Sequence, residues 1–250
     1  MKKNNVTIRV YKSIPELIAA LSDYVTATIS HAIAVHGECN LVLSGGSSPK
    51  KLYKALASPD YKNKIAWSKV NFFFGDERYV PIDDPDNNSH MARTALLNDF
   101  HIPESNIFSV DTSLSPEEAA MDYSSQIDSH FKRREPIFDL ILLGLGDNSH
   151  TASLFPHTAV LHDTSATVRA VFLKENNIHR ITMTAPLINQ ARNIAFLVYG
   201  KSKAEAVHHV LEDEYNPEQY PAQLIQPAHN SLHWYLDEEA ASHLKDERKT

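Results

Sequence analysis

Apolar residues recur along this chain in two distinct periods. From Ile14 to about Val35 they fall at helical spacing, with Leu17, Ile18, Leu21, Val25, Ile29 and Ala32 on one face, which predicts an amphipathic helix. Val6–Tyr11 has the pattern of a first strand. Short apolar runs at Asn40–Leu43, Val70–Phe74, Phe138–Leu143 and Asn193–Tyr199 have the length and continuity of strands buried on both faces. Helical patterns follow or separate them at Pro49–Ala57, Ser89–Leu97, Pro116–Phe131 and Lys201–Leu211, and further strands are expected at Thr167–Leu173, Arg180–Thr184 and Leu232–Leu236. Apolar strands alternating with helices predict an α/β protein whose mostly parallel sheet is covered on both faces. No repeat, low-complexity tract or Gly/Ser linker divides the chain, so residues 1–250 are expected to form one domain.

Glycine usage sharpens this picture. Average usage predicts roughly 17 glycines in a chain of this length, yet there are seven. Gly45, Gly46, Gly75, Gly144, Gly146 and Gly200 all sit at or just past the ends of the four apolar strands. In open α/β sheets ligands bind outside the carboxyl ends of the strands, where glycine permits positive φ and close backbone approach. Turns between strands and helices favour glycine anyway. Four such turns, in a chain otherwise sparing with glycine, favour a site.

Composition then excludes several classes. At 42% hydrophobic residues the chain can bury a sizeable core. No uninterrupted apolar run approaches a membrane span, and Arg9 breaks the stretch that follows the basic start MKKNN, so neither a membrane partner nor a signal peptide is expected. Cys39 is the single cysteine, which rules out an intramolecular disulfide framework and a multi-cysteine metal site and suggests a cytoplasmic protein. A net charge of −7 argues against nucleic-acid binding but leaves room for a locally basic pocket and a small anionic substrate.

Four segments carry candidate chemistry. In LVLSGGSSPKKLY, Ser48 suits a helix N-cap and Pro49 the first helical position. Ser44, Gly45, Gly46 and Ser47 would then present N–H groups and hydroxyls to an anion at the helix start, with plain capping as the alternative. In FFFGDERYVP, Asp76, Glu77 and Arg78 follow a strand; they form either a solvated loop or a carboxylate for substrate hydroxyls beside a guanidinium for an anion. GLGDNSHTASLFP has Ser149 where a dinucleotide fingerprint needs its third glycine, and no clear helix follows, which speaks against a nucleotide cofactor. Its His150, one of fourteen histidines, is either structural or a general base, since imidazole titrates near neutrality. Arg180 lies beside a strand, and Lys201 and Lys203 follow Gly200 in an expected first helical turn, where lysines oppose the helix dipole unless an anion is bound. His208 and His209 have no accompanying ligand cluster and are assigned to surface or packing, so no metal is expected.

Taken together, SGGSSPKKLY, FFFGDERYVP with the following Asp86-Asn87-Asn88 and Met91, HTASLFP, RITMT, VYGKSKAEAV and PAQLI…WYLD resemble the 6-phosphogluconolactonase family, in order, from about residue 40 to residue 237. The resemblance implies a Rossmann-like three-layer α/β/α sandwich, shared with the glucosamine-6-phosphate deaminases and isomerases. It implies hydrolysis of 6-phospho-D-glucono-1,5-lactone in the oxidative pentose phosphate pathway without metal or organic cofactor; the sequence leaves the oligomeric state open between a monomer and a small homo-oligomer. Carried over by position, His150 resembles the base that activates water, Asp76 the acidic site residue and Asn88 the asparagine that follows it. Arg78 and Arg180 resemble substrate-binding cations, Gly45, Gly46 and Ser47 part of a phosphate cradle, and Lys203 the lysine beyond the strand-ending glycine.

One departure stands out. Relatives usually carry Asp-Gly directly before this histidine, whereas this chain has Asn148-Ser149. Asn148 can orient the imidazole but stabilises its protonated form less than aspartate would. Ser149 requires either that the turn no longer needs positive φ or that it tolerates strain. Two rival readings stay open: an isomerase or deaminase of the same superfamily, and a sugar-phosphate-binding protein that has lost catalysis.

Overall fold

A computed structural model describes residues 6–175, 177–227 and 231–245. The first half runs β1 (Val6–Tyr11), α1 (Ile14–His36), β2 (Cys39–Leu43), α2 (Ser47–Leu56), β3 (Val70–Phe74), β4 (Asp76–Arg78), α3 (Asn88–Ala95) and α4 (Pro116–His130). The second runs β5 (Leu140–Leu143), β6 (Val168–Leu173), β7 (Ile178–Met183), α5 (Ala185–Asn189), β8 (Asn193–Val198), α6 (Ala204–Glu212) and β9 (Ser231–Asp237).

Six strands form a wholly parallel sheet in the order β1-β9-β8-β5-β2-β3. Side chains alternate across it. Leu41, Leu43, Phe72 and Phe74 join one apolar cluster with Leu17 of α1, Leu52 of α2 and Ala92 of α3. Val42, Phe73, Ile141 and Phe196 join another with Tyr123 of α4 and Val207 of α6. Both faces are therefore buried, as continuous apolar strands require. Contrary to the expectation that no segment approaches a membrane span, the 23-residue α1, with a mean hydropathy of 1.3 over 18 of its residues, could cross a bilayer by length and composition. Its Leu17, Leu21, Val25 and Ile29 are instead fully buried in the core beneath it. Ser13 caps its start and Gly37, at φ 85°, its end.

The chain order reverses between β2 and β5. From β2 the path moves outward to β3, whereas from β5 it moves the other way to β8 and β9. Such a reversal opens a crevice at the carboxyl ends of the two strands, and the loops following β2 and β5 flank it.

Of the two readings open for Asp76–Arg78, the solvated loop is the one the structure rules out. The segment is a strand, pairing antiparallel with β7 in a second sheet ordered β4-β7-β6. Alternation of strands and helices foretold the parallel sheet but not this antiparallel one. Gly75 joins the two: its N–H donates to the Leu43 carbonyl at 3.0 Å, and its own carbonyl accepts from Met183 N at 2.9 Å. That junction carries β4 over the end of the main sheet. Two further corrections concern helix starts. α2 begins at Ser47 with Gly46, at φ 101°, as an N-cap without a side-chain bond, not at Ser48–Pro49. Lys201–Lys203 form a separate 3-10 turn ahead of α6, so Lys203 caps that helix instead of lying inside it.

Candidate active site

The crevice at the reversal point is a cavity of about 420 Å³. Ser44, Gly45, Gly46 and Ser47 line it from the loop after β2, Asp76 and Arg78 from β4, and Asn88 from the start of α3. His150 enters from the loop after β5, Arg180 from β7 and Lys203 from the turn after β8. Glu77, Lys201 and Asn148, also singled out from sequence, are not among the lining residues; Asn148 instead contacts the His150 ring.

Backbone chemistry shapes the β2 loop. With Gly46 as cap, the first intrahelical bond of α2 is Lys50 N to the Gly46 carbonyl at 3.2 Å. The N–H groups of Ser47 and Ser48 are left over, as at any helix start, and both residues border the cavity. Ser44 behaves differently from expectation. Its N–H donates to the Tyr53 hydroxyl at 2.8 Å and its carbonyl accepts from the same hydroxyl at 2.8 Å, so it has no backbone donor to spare for an anion. Tyr53 is fully buried and pins the end of β2, as Tyr123 pins Phe74 at the end of β3 through bonds of 2.7 and 3.1 Å. Gly45 meets α3 so closely that a Cβ there would overlap the Asn88 amide. Asn88 Nδ2 in turn donates to the Asp76 carbonyl at 2.9 Å, tying the two loops together.

The loop after β5 places His150. Gly146 N donates to the His150 carbonyl at 2.8 Å, Ser149 N to the Gly146 carbonyl at 3.0 Å, and Thr151 Oγ1 to the Gly144 carbonyl at 2.8 Å. Ser149 does occupy the left-handed region, at φ 62°, so the turn tolerates strain there. Burial of Ser149 and a bond from Ala222 N to its carbonyl at 2.9 Å hold it. The imidazole lies between Gly146, where a Cβ would collide with it, and the Phe155 ring, stacked at 4.1 Å.

Asn148 Oδ1 lies 2.5 Å from His150 Nδ1 and accepts from His150 N at 3.4 Å. An acceptor at Nδ1 places the ring proton there and leaves Nε2 with its lone pair. Burial, then Lys203 and Arg180, push the imidazole down to about 4, with Asp147 opposing them. His150 is therefore neutral at physiological pH and able to take a proton.

Charge around it is arranged in pairs. Arg78 and Arg180 stand directly opposite each other between β4 and β7, and burial followed by Arg78 lowers the pKa of Arg180. Arg78 Nη1 meets Asp86 Oδ1 at 3.3 Å, and Lys203 Nζ meets Asp147 Oδ1 at 2.6 Å. Burial raises the Asp76 carboxyl, which accepts from Ser153 Oγ at 2.6 Å. Glu77 is fully buried and accepts from Arg78 N at 2.9 Å, Asn88 N at 2.6 Å and Ser89 N at 2.9 Å. It thereby locks the start of α3 onto β4. Sequence reasoning missed the roles of Tyr53, Glu77, Ser153 and Phe155; for Glu77 the one available signal was its place between two predicted site residues.

Crevices of this kind, with free helix-start N–H groups, several cations and one neutral imidazole, mark α/β enzymes acting on small anions. Residues 12–234 match the family of glucosamine-6-phosphate isomerases/6-phosphogluconolactonase, and the chain belongs to it. A 6-phosphogluconolactonase of Synechocystis is 45% identical over 227 residues, covering 88% of this chain and 91% of that one. One from Nostoc is 40% identical over 248 residues, covering 98% and 99%. The solved 6-phosphogluconolactonase of Trypanosoma brucei superposes with a TM-score of 0.83 at 30% identity, covering 97% of this chain and 100% of that one.

Proposed function

We propose that this protein hydrolyses 6-phospho-D-glucono-1,5-lactone to 6-phospho-D-gluconate, with His150 activating the attacking water. The observation that carries the proposal is the His150 ring, with Nδ1 2.5 Å from Asn148 Oδ1, set in a cavity bordered by Arg78, Arg180 and Lys203. The substrate's phosphate is anchored by the free N–H groups after β2 together with Lys203. The lactone carbonyl then lies near His150. Nε2 removes a proton from water as the water oxygen bonds to C1, and an arginine stabilises the oxyanion. Collapse of that intermediate breaks the bond from C1 to the ring oxygen, which takes the proton back from the imidazolium. The resulting acid releases a proton to solvent. A coupled assay on freshly generated lactone, corrected for spontaneous opening, tests the activity. Ammonia release from glucosamine 6-phosphate would instead point to the isomerase branch of the family.

Two predictions follow from His150. Because kcat/KM reports the free enzyme's base, it should stay level on acidification and fall only as pH drops through about 4, once corrected for substrate phosphate ionisation near pH ~6. An acid limb near 6.5, the unperturbed value, would show that neither burial nor the cations act on the working base. Asn148→Asp places a carboxylate on Nδ1–H, favours imidazolium and moves that limb upward. Its neutral-pH rate should rise a few-fold, by the Brønsted dependence on base strength; a clear fall would mean that the orienting partner lies elsewhere.

A further inference from the structure

The contact between Lys203 and Asp147 has no role in the proposed chemistry, yet it occupies the cation assigned to the substrate's phosphate. Lys203 lines the cavity with its side chain 25% exposed, whereas Asp147 is 71% exposed on the loop that also carries His150. Leaving Lys203 would cost Asp147 little burial, because most of its carboxylate already contacts water. The pairing Nζ–Oδ1 distance is 2.6 Å, and the same carboxylate opposes the effect of Lys203 and Arg180 on His150.

We infer that Asp147 is a specificity-determining residue, an internal anion that competes with the ligand's phosphate for Lys203. The inference rests on the assignment of Lys203 to the phosphate. A dianionic phosphate displaces a singly charged, solvent-exposed carboxylate, because its doubled charge and three acceptor oxygens make the stronger contact with the ammonium. A weaker anion displaces it less readily, so Asp147 keeps Lys203 from retaining such ions. Once displaced, the carboxylate remains on the His150 loop and continues to offset the positive charge around the imidazole.

Calorimetric titration with inorganic phosphate tests this on the full-length protein and on Asp147→Asn, Lys203→Gln and the double variant. Removing the competitor should tighten phosphate binding roughly two- to fivefold, the range open to an exposed ion pair. High salt should shrink the gain, and the double variant should show no gain over Lys203→Gln. In lactone hydrolysis, Asp147→Asn should lower KM. It should also move the acid limb of kcat/KM downward, since Lys203 and Arg180 then act on His150 unopposed by Asp147. Unchanged or weaker phosphate binding in Asp147→Asn, with Lys203→Gln still impaired, would overturn the competitor role and leave the phosphate assignment standing. Lys203→Gln binding phosphate as well as the parent would remove the assignment itself.

Discussion

Replacing His150 with alanine is expected to slow lactone hydrolysis by on the order of 10²–10⁴-fold, the usual contribution of a positioned general base. The loss should fall on kcat, because the groups proposed to hold the phosphate, after β2 and at Lys203, belong to other loops. Folding should survive, since the imidazole's contacts with Gly146, Asn148 and Phe155 lie within its own loop. Circular dichroism would confirm an intact structure, and titration with 6-phosphogluconate an intact site. A variant within a few-fold of the parent would remove His150 from the mechanism. Gly146 supplies an internal cross-check, because a methyl group there must push the imidazole aside while leaving its chemistry unchanged.

The second large effect is expected at Glu77→Ala. Three backbone N–H groups, of Arg78, Asn88 and Ser89, lose their acceptor in a fully buried position. An orphaned buried donor costs about 1–3 kcal/mol, so the variant should lose roughly 3 kcal/mol or more unless water enters. Denaturant titration would measure it, and a loss under about 1 kcal/mol would mean that the N–H groups find other partners. Activity should suffer too, because Glu77 joins the helix carrying Asn88 to the strand carrying Arg78. The parent should also show a particular pH signature. Burial raises Glu77 from 4.5 to about 7, so between those values the unfolded chain gives up a proton that the folded one keeps. That contribution to stability is complete below 4.5 and declines as pH rises toward 7; the alanine variant should lack this slope.

Much of this architecture was legible in the sequence because its signals are local. The helical spacing of Leu17, Leu21, Val25 and Ile29 marked α1, and short, largely apolar runs marked β2, β3, β5 and β8. Glycines at strand ends located the cavity, since Gly45 and Gly146 stand where Asn88 and His150 leave no room for a Cβ. What stayed hidden depends on partners distant in the chain. Asp76–Arg78 carries three charges in a row, and only pairing with β7 makes it a strand. Burial of Glu77 depends on the N–H groups of a helix eleven residues onward. Ser48 had the composition of a cap, but the glycine before Ser47 took that place by adopting a positive φ. Ser44 lost its donor to Tyr53, a contact that required the helix to fold back on its own strand.

The opposed guanidinium groups of Arg78 and Arg180 have a consequence for heat tolerance. Two cations facing one another across paired strands repel, and an anionic sugar phosphate bound beside them in the same cavity would relieve part of that repulsion only in the native state. Mass action then ties the melting temperature to occupancy, adding about 2.7 kcal/mol at a ligand concentration one hundred times Kd. The molecule would thus be hardiest when its own substrate or product is abundant.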